Sequence, residues 1–381
     1  MAREVTASAA KPLGATPLGN EAVPTTAWGP WLFGPGRDLA MLLVPVSVLL
    51  LFVGASLTTA SFAEDSNRYA MWLATNVLGN GTHVVLTFLL FALRPETMRS
   101  TPTLRAQVYL GIFVTLAVSS GFYALHRWEP QAAIYARAVV FALFGTHHTL
   151  SQNRGYWSLY VARERSAGLK PSDREGQLQR MMVPLTLGLL LTRYFFVAAS
   201  NENEMPFVNL GSAALLPFKF VGVLLIVWLA FWAVVFRTVL PGGAQRPKLL
   251  YLLAVALAGS VSLLAPTWGL VLFFGMHGLE YYFLSERMLT QLPEDKKQVA
   301  QRWIWPLMVL SMAPLIAMGV VTLMRDETSS EALQSFTKTG LWHVAVTLST
   351  ACVLAHYWAD ALIYRFRLPD VRKIMLARIR L

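Results

Sequence analysis

Residues 220–236 read FVGVLLIVWLAFWAVVF, an apolar run with no charge between Lys219 and Arg237. A helix needs roughly 20 such residues to cross the hydrocarbon core of a bilayer. In lipid the backbone must satisfy its own hydrogen bonds, so a helix is the expected form. The run belongs to an apolar segment at about 212–236, and similar segments occur at about 39–60, 69–92, 106–125, 131–152, 180–199, 248–266, 267–286, 303–324 and 340–364. The seventh and eighth are separated only by Ala265, Pro266 and Thr267, where proline makes either a tight turn or a kink.

Composition agrees with that pattern. Of 381 residues, 55% are hydrophobic and 14% charged, and mean hydropathy is +0.49. A soluble domain carries about a quarter charged residues. The expected fold is therefore all-α, a polytopic, multi-pass membrane bundle of about ten helices. A net charge of +11 would raise nucleic acid as a partner for a soluble chain. Here the basic residues fall in short loops between apolar segments, so topology accounts for them and no nucleic-acid partner is expected.

With the N-terminus in the cytoplasm, the outside loops hold only Arg68, Arg127, Arg325 and Lys338. The spans hold Arg137, Arg193 and Lys219, and the rest of the 32 Lys and Arg lie inside. This positive-inside pattern puts both termini in the cytoplasm and supports separate seventh and eighth spans. Arg193 and Lys219 are expected to snorkel to the interface.

Residues 1–37 read as a flexible cytoplasmic tail, 38–366 as the transmembrane domain and 367–381 as a basic cytoplasmic tail. Trp28, Trp31 and Phe33 mark arrival at the interface. In the long inside connection 155–179, residues Tyr156 to Tyr160 are expected to lie along the membrane surface. The single cysteine, Cys352, excludes an intrachain disulfide.

Ionisable groups inside the spans carry the functional signal. Of seven histidines, His126 sits in a short outer loop and His343 near the outer surface. His83, His147, His148, His277 and His356 fall on the second, fourth, eighth and tenth spans, which all run from outside to inside. His83 lies 11 residues before Arg94, His147 seven before Arg154, His277 ten before Arg287 and His356 nine before Arg365. At 1.5 Å per residue those offsets spread over only about 6 Å, one layer in the cytoplasmic half of the bilayer.

Two carboxylates join the layer. Glu280 follows His277 at i+3 and Asp360 follows His356 at i+4, spacings that share a helix face. Asn76 and Asn80 share a stripe with His83, Arg137 and Gln152 one with His148, and Tyr281 lies near the face of His277 and Glu280. Such groups can fix a histidine tautomer. Glycine two residues ahead of histidine recurs as Gly81–His83, Gly145–His147 and Gly275–His277, and glycine lets membrane helices approach closely.

Imidazoles gathered with carboxylates favour non-haem iron or zinc. The candidate metal ligands are His83, His147, His148, His277, Glu280, His356 and Asp360, enough for one or two ions. His147 and His148 point about 100° apart on a regular helix, so one ligates and the other supports, or each serves a different ion. Three other readings stand beside an iron centre. Haem b would need a histidine on each of two facing helices. A proton- or ion-coupled transporter would use the His, Asp and Glu layer as a relay, with Pro184, Pro217, Pro306 and Pro314 as possible helix breaks. A zinc hydrolase would use metal-bound water beside a Glu, although no His-Glu-x-x-His motif is present.

The scatter of His83, His147, His148, His277 and His356 over several spans resembles the architecture of integral-membrane non-haem iron oxygenases, most nearly the bacterial carotene-cleaving dioxygenases. The histidine boxes of membrane desaturases are absent. The resemblance implies an apolar substrate taken from lipid, such as an acyl chain, isoprenoid or carotenoid, and leaves room for an electron donor. Tyr281, Tyr282, Tyr357 and Trp358 are the aromatic residues placed to line its path.

Overall fold

The structure, a computed structural model, describes residues 25–26, 29–58, 84, 86–87, 102–198, 216–242, 246–289, 296–299, 302–303, 306 and 340–363. Eight long helices account for most of them: α1 (Pro35–Thr58), α2 (Pro102–Trp128), α3 (Pro130–Ser166), α4 (Glu175–Ala198), α5 (Leu216–Val239), α6 (Arg246–Leu264), α7 (Pro266–Leu289) and α8 (Gly340–Ile363). Four begin on proline, whose missing N–H costs nothing in a first helical turn. Of the apolar segments, 69–92 and 303–324 lie almost wholly outside the described residues, as do most of both tails.

Among the described residues, four helical stretches are long and apolar enough to cross a membrane: Pro35–Ala55, Arg105–Trp128, Phe220–Val239 and Arg246–Leu264. Their outer faces carry exposed Leu50, Leu51, Phe113 and Ile226. Large apolar side chains left uncovered in this way mark a surface made for an apolar partner or lipid. The chain breaks between α6 and α7 at Ala265, and the two helices pack against each other. Pro184 lies inside the continuous α4 and Pro217 in the first turn of α5, so neither breaks a helix.

Two stretches expected to lie outside the bundle are packed into it. Residues 155–166 are not a loop along the surface: α3 continues through them. Tyr156, Trp157 and Tyr160 are buried, because their spacing keeps one apolar stripe turned into the bundle for three further turns. The helix ends at Gly168, whose φ of +80° suits a residue without Cβ. There Leu169 N–H bonds the Glu164 carbonyl at 3.0 Å and Gly168 N–H the Arg165 carbonyl at 3.0 Å, pairing carbonyls that the helix end would leave open.

The second concerns the segment before α1. A two-residue hairpin pairs Thr25–Thr26 with Gly29–Pro30, and Trp31 and Leu32 behind it are buried. Residues 29–34 are thus packed rather than part of a loose tail. Asp38, in the first turn of α1, accepts the Leu32 and Phe33 N–H groups at 2.8 and 3.0 Å and the Tyr160 hydroxyl at 3.2 Å. Arg163 Nε donates to the Trp31 carbonyl at 3.1 Å, and the Phe33 ring packs on Tyr156 and Phe283. Burial, and then the neighbouring Asp38 carboxylate, push the Tyr160 phenol well above the usual tyrosine range.

The main core lies among α3, α4, α5 and α6, around Trp157, Trp228, Trp232 and Tyr251. At its edge Lys248 Nζ meets Glu164 Oε2 at 2.5 Å and Glu175 Oε1 at 3.0 Å, all three side chains being buried. Trp157 Nε1 donates to the other oxygen of Glu175 at 3.1 Å. Arg193 does not simply reach for the interface: its Nε donates to the Leu263 carbonyl at 3.0 Å, in the last turn of α6, where carbonyls lack helical partners. On the other side of the bundle α8 packs on α2, and Trp358 Nε1 donates to the Gln107 carbonyl at 2.9 Å.

Candidate metal centre

Three helices bring one histidine each to a common point. His148 comes from α3, His277 from α7 and His356 from α8, all buried, and their ligating nitrogens lie within 4.8 Å of one another. The His148 ring stands edge-on to those of His277 and His356, with centroids 4.9 and 5.0 Å apart. Rings that close leave no gap for a porphyrin plane between His148 and either neighbour.

Asp360 lies against two of the three. Its Oδ1 accepts the Thr87 hydroxyl at 2.8 Å and the Tyr281 hydroxyl at 3.1 Å. Its Oδ2 faces His148 Nε2 at 3.5 Å and His356 Nε2 at 3.6 Å. Two atoms each about 2.0–2.2 Å from one ion, at tetrahedral angles, lie about 3.4 Å apart. Asp360 thus stands at ligand spacing from His148 and His356, while the three histidines form the group whose atoms all lie within 4.8 Å of one another, donors that could suit iron or zinc.

The tautomer of His356 points the same way. Its Nδ1 lies 3.0 Å from the Val353 carbonyl. A carbonyl only accepts, so Nδ1 carries the proton and neutral His356 presents a lone pair at Nε2. That lone pair faces a carboxylate oxygen, an arrangement that a cation or a proton between them stabilises.

The candidate ligands thus divide. His148, His277, His356 and Asp360 converge, whereas His147 is exposed, turned off the site by the 100° step between neighbouring helical residues. His83, Asn76 and Asn80 lie outside the described residues. Thr87, which is described, follows His83 by four positions in sequence.

Glu280 is buried beside the cluster but is not brought into it. Gln152 Nε2 donates to its Oε2 at 2.9 Å, Tyr251 Oη to its Oε1 at 2.8 Å and Asn153 Nδ2 to its Oε1 at 3.2 Å. Gln152 also donates to the His277 carbonyl at 2.9 Å, and the Tyr156 hydroxyl donates to the Glu280 carbonyl. So Gln152 serves α7 rather than His148. Arg137 is half-buried, three turns back along α3.

The aromatic candidates also separate. Tyr281 holds Asp360, and Trp358 packs on α2. Tyr282 packs on Phe283. Tyr357 lies between His148 and His356 with centroids 4.7 Å from each. Its hydroxyl occupies the space beside Gly145, where an added Cβ would come within 3.2 Å. That contact gives one of the three Gly-x-His glycines a concrete role in close packing.

Thr87, Asn153, Tyr156 and Tyr251 escape the sequence reading. Only Thr87 leaves a signal, because it extends the stripe of Asn76, Asn80 and His83 by one turn. Of the remaining histidines, His126 is half-buried near the end of α2, and the side chain of His343 in α8 lies outside the described residues.

No protein-family model, curated protein or solved structure compared with this chain matches it.

Proposed function

We propose that this chain is a multi-pass membrane metalloprotein, and that it is a non-haem iron oxygenase or oxidase acting on an apolar substrate. The observation that carries this reading is the convergence of His148, His277 and His356 within 4.8 Å of one another inside an apolar bundle, with Asp360 Oδ2 at 3.5 and 3.6 Å from His148 and His356. Iron is preferred because two or three imidazoles with one carboxylate and room for further ligands are typical of oxygen-activating centres. Bound iron would supply activation of O₂ at this point.

The protein's own part is to hold the donors in place. Thr87 and Tyr281 fix one oxygen of Asp360 and leave the other toward the histidines. The Val353 carbonyl fixes the tautomer of His356. The burial of all four donors excludes bulk water, which strengthens every electrostatic interaction there. Leu143 and Phe144 are exposed one turn before His148, and Tyr357 is half-buried beside it. This side of α3 and α8 supports access for an acyl chain, isoprenoid or carotenoid directly from lipid.

The apolar helices, the break at Ala265 and the distribution of Lys and Arg support ten spans with both termini in the cytoplasm. Replacing Cys352, the single native cysteine, gives a clean background for labelling single cysteines placed in each loop. Loops labelled from the side opposite to the one assigned would overturn this topology.

Elemental analysis and a visible spectrum of the purified, detergent-solubilised protein test the centre. Iron bound without a Soret band is the expected result. A Soret band would replace it with haem electron transfer, and zinc alone with metal-assisted hydrolysis. No metal after purification without chelators would move the layer to proton or ion coupling.

A further inference from the structure

Tyr357 touches two histidines of the centre without being one of its donors. Its ring centroid stands 4.7 Å from that of His148 and 4.7 Å from that of His356, and those two rings are 5.0 Å apart. The three rings form a nearly equilateral triangle. His148 and His356 are buried, and Tyr357 is half-buried at the outer corner.

The fold makes room for this ring. Its hydroxyl end reaches across from α8 to α3 and lies over Gly145, where a Cβ would come within 3.2 Å of Oη and 3.8 Å of Cζ. A side chain at 145 would press on the phenol, so glycine lets the two helices close around it. The preceding residues on α3, Leu143 and Phe144, are exposed, as is His147. Trp358, next along α8, turns to α2 instead and donates to the Gln107 carbonyl at 2.9 Å. Tyr357 thus stands between exposed apolar side chains of α3 and the buried histidines. A phenol ring moves as one body about two side-chain torsions, so it can swing aside without movement of the backbone.

We propose that Tyr357 is the specificity-determining residue of the site. Its ring covers the His148–His356 side of the centre, and an apolar molecule coming from lipid reaches the centre by displacing it. The opening this leaves beside Gly145 is one aromatic ring across. It suits an extended acyl or polyene chain and refuses a fused-ring molecule. The choice of substrate rests on the metalloenzyme reading, whereas the covering of the histidines does not.

Diethyl pyrocarbonate, a small apolar reagent that carbethoxylates neutral imidazole, tests the cover. It is applied to the full-length protein in phosphatidylcholine vesicles after a chelator has removed any metal. Peptide mass spectrometry with fragmentation reads the rate at each histidine, and exposed His147 reports delivery of the reagent. Tyr357→Ala is expected to speed modification of His148 and His356 by about tenfold or more, because a buried group reacts through rare openings and loss of the ring leaves one in place. Tyr357→Phe keeps the ring and should stay near the wild-type rate. Tyr357→Leu replaces Tyr357→Ala should that protein fail to fold. Trp358→Ala removes a larger ring one residue along and should leave both rates unchanged. Equal rates in the wild type and Tyr357→Ala overturn the proposal. So does equal acceleration in Trp358→Ala, which would mean a loosened α8 rather than a lost cover.

Selectivity is read with two lipids added to the same vesicles. Hexadecane should protect His148 and His356 in the wild type, and cholesterol only in Tyr357→Ala. Protection of the wild type by cholesterol, or by neither, overturns the selectivity. Iron measured before chelation separates the two readings. Acceleration in a protein that never held iron removes the metalloenzyme reading alone, and iron with unchanged rates removes the cover alone.

Discussion

Lys248, Glu164 and Glu175 form one buried polar cluster, and His148, His277, His356 and Asp360 form another. Both draw on α3, and both exclude water. In the first, the chain supplies cation and anions together, at 2.5 and 3.0 Å, and Trp157 adds a second donor to Glu175 Oε2. In the second, every member offers an electron-pair donor atom, and the cluster gathers possible ligand atoms rather than a matched ion pair. The contrast separates two uses of buried charge. A cluster complete in its own atoms holds helices together, while one that gathers ligand atoms could hold a cation.

The largest expected effect breaks the first cluster. Lys248→Ala leaves two carboxylates buried without their cation and should cost about 3–5 kcal/mol. Denaturant unfolding of the detergent-solubilised protein measures it. Lys248→Met combined with Glu164→Gln and Glu175→Gln should recover most of the loss. A Lys248→Ala protein as stable as the wild type would show that this cluster is not structural.

The second cluster should respond in composition rather than stability. His277→Ala and His356→Ala, with His83→Ala added on sequence grounds, should lose most bound metal while the protein stays folded in the membrane. His147→Ala and His126→Ala should retain it. Unchanged metal in the first three variants would end the metal-centre reading.

Acidification sharpens the same distinction. Metal binding needs neutral imidazole and ionised carboxylate, so protons compete, and the metal retained after dialysis should fall as pH falls. A site that holds its metal better at low pH would have other ligands.

Smaller effects follow from the groups behind the donors. Thr87→Ala and Tyr281→Phe each free Asp360 Oδ1 from one of its two hydroxyls. Each should weaken metal affinity by about 10–100-fold, measurable by competition with a chelator. The smallest change expected is Arg193→Ala, which removes a charged partner from the end of α6 at a cost of about 0.3–1 kcal/mol.

The helices are legible in the sequence because a membrane leaves the backbone no alternative within an apolar run. The break between α6 and α7 is legible too, since the loop charges favour it and Pro266 permits it. The extension of α3 to Ser166 is not. Hydropathy falls off after Gln152, and only packing of Tyr156, Trp157 and Tyr160 against α4 and α6 shows why the helix goes on. At the centre, His148, His277, His356 and Asp360 are legible as ionisable groups at one depth. Tyr251 and Asn153 are not, because a tyrosine or asparagine becomes a partner of Glu280 only through the rotation of its helix.

By itself, then, the sequence determined that this is a mostly helical chain with long apolar segments and a layer of histidines and carboxylates on a few of them. These are properties of residues taken one segment at a time, set by hydropathy and by the 1.5 Å rise of a helix. The tertiary structure alone decided which member of His147 and His148 turns inward, that Asp360 joins the histidines, and that Glu280 is held apart by Gln152, Asn153 and Tyr251. Those outcomes depend on the rotation and mutual packing of α3, α6, α7 and α8, and one step of 100° about a helix axis is enough to exchange a ligand for a residue on the outer face.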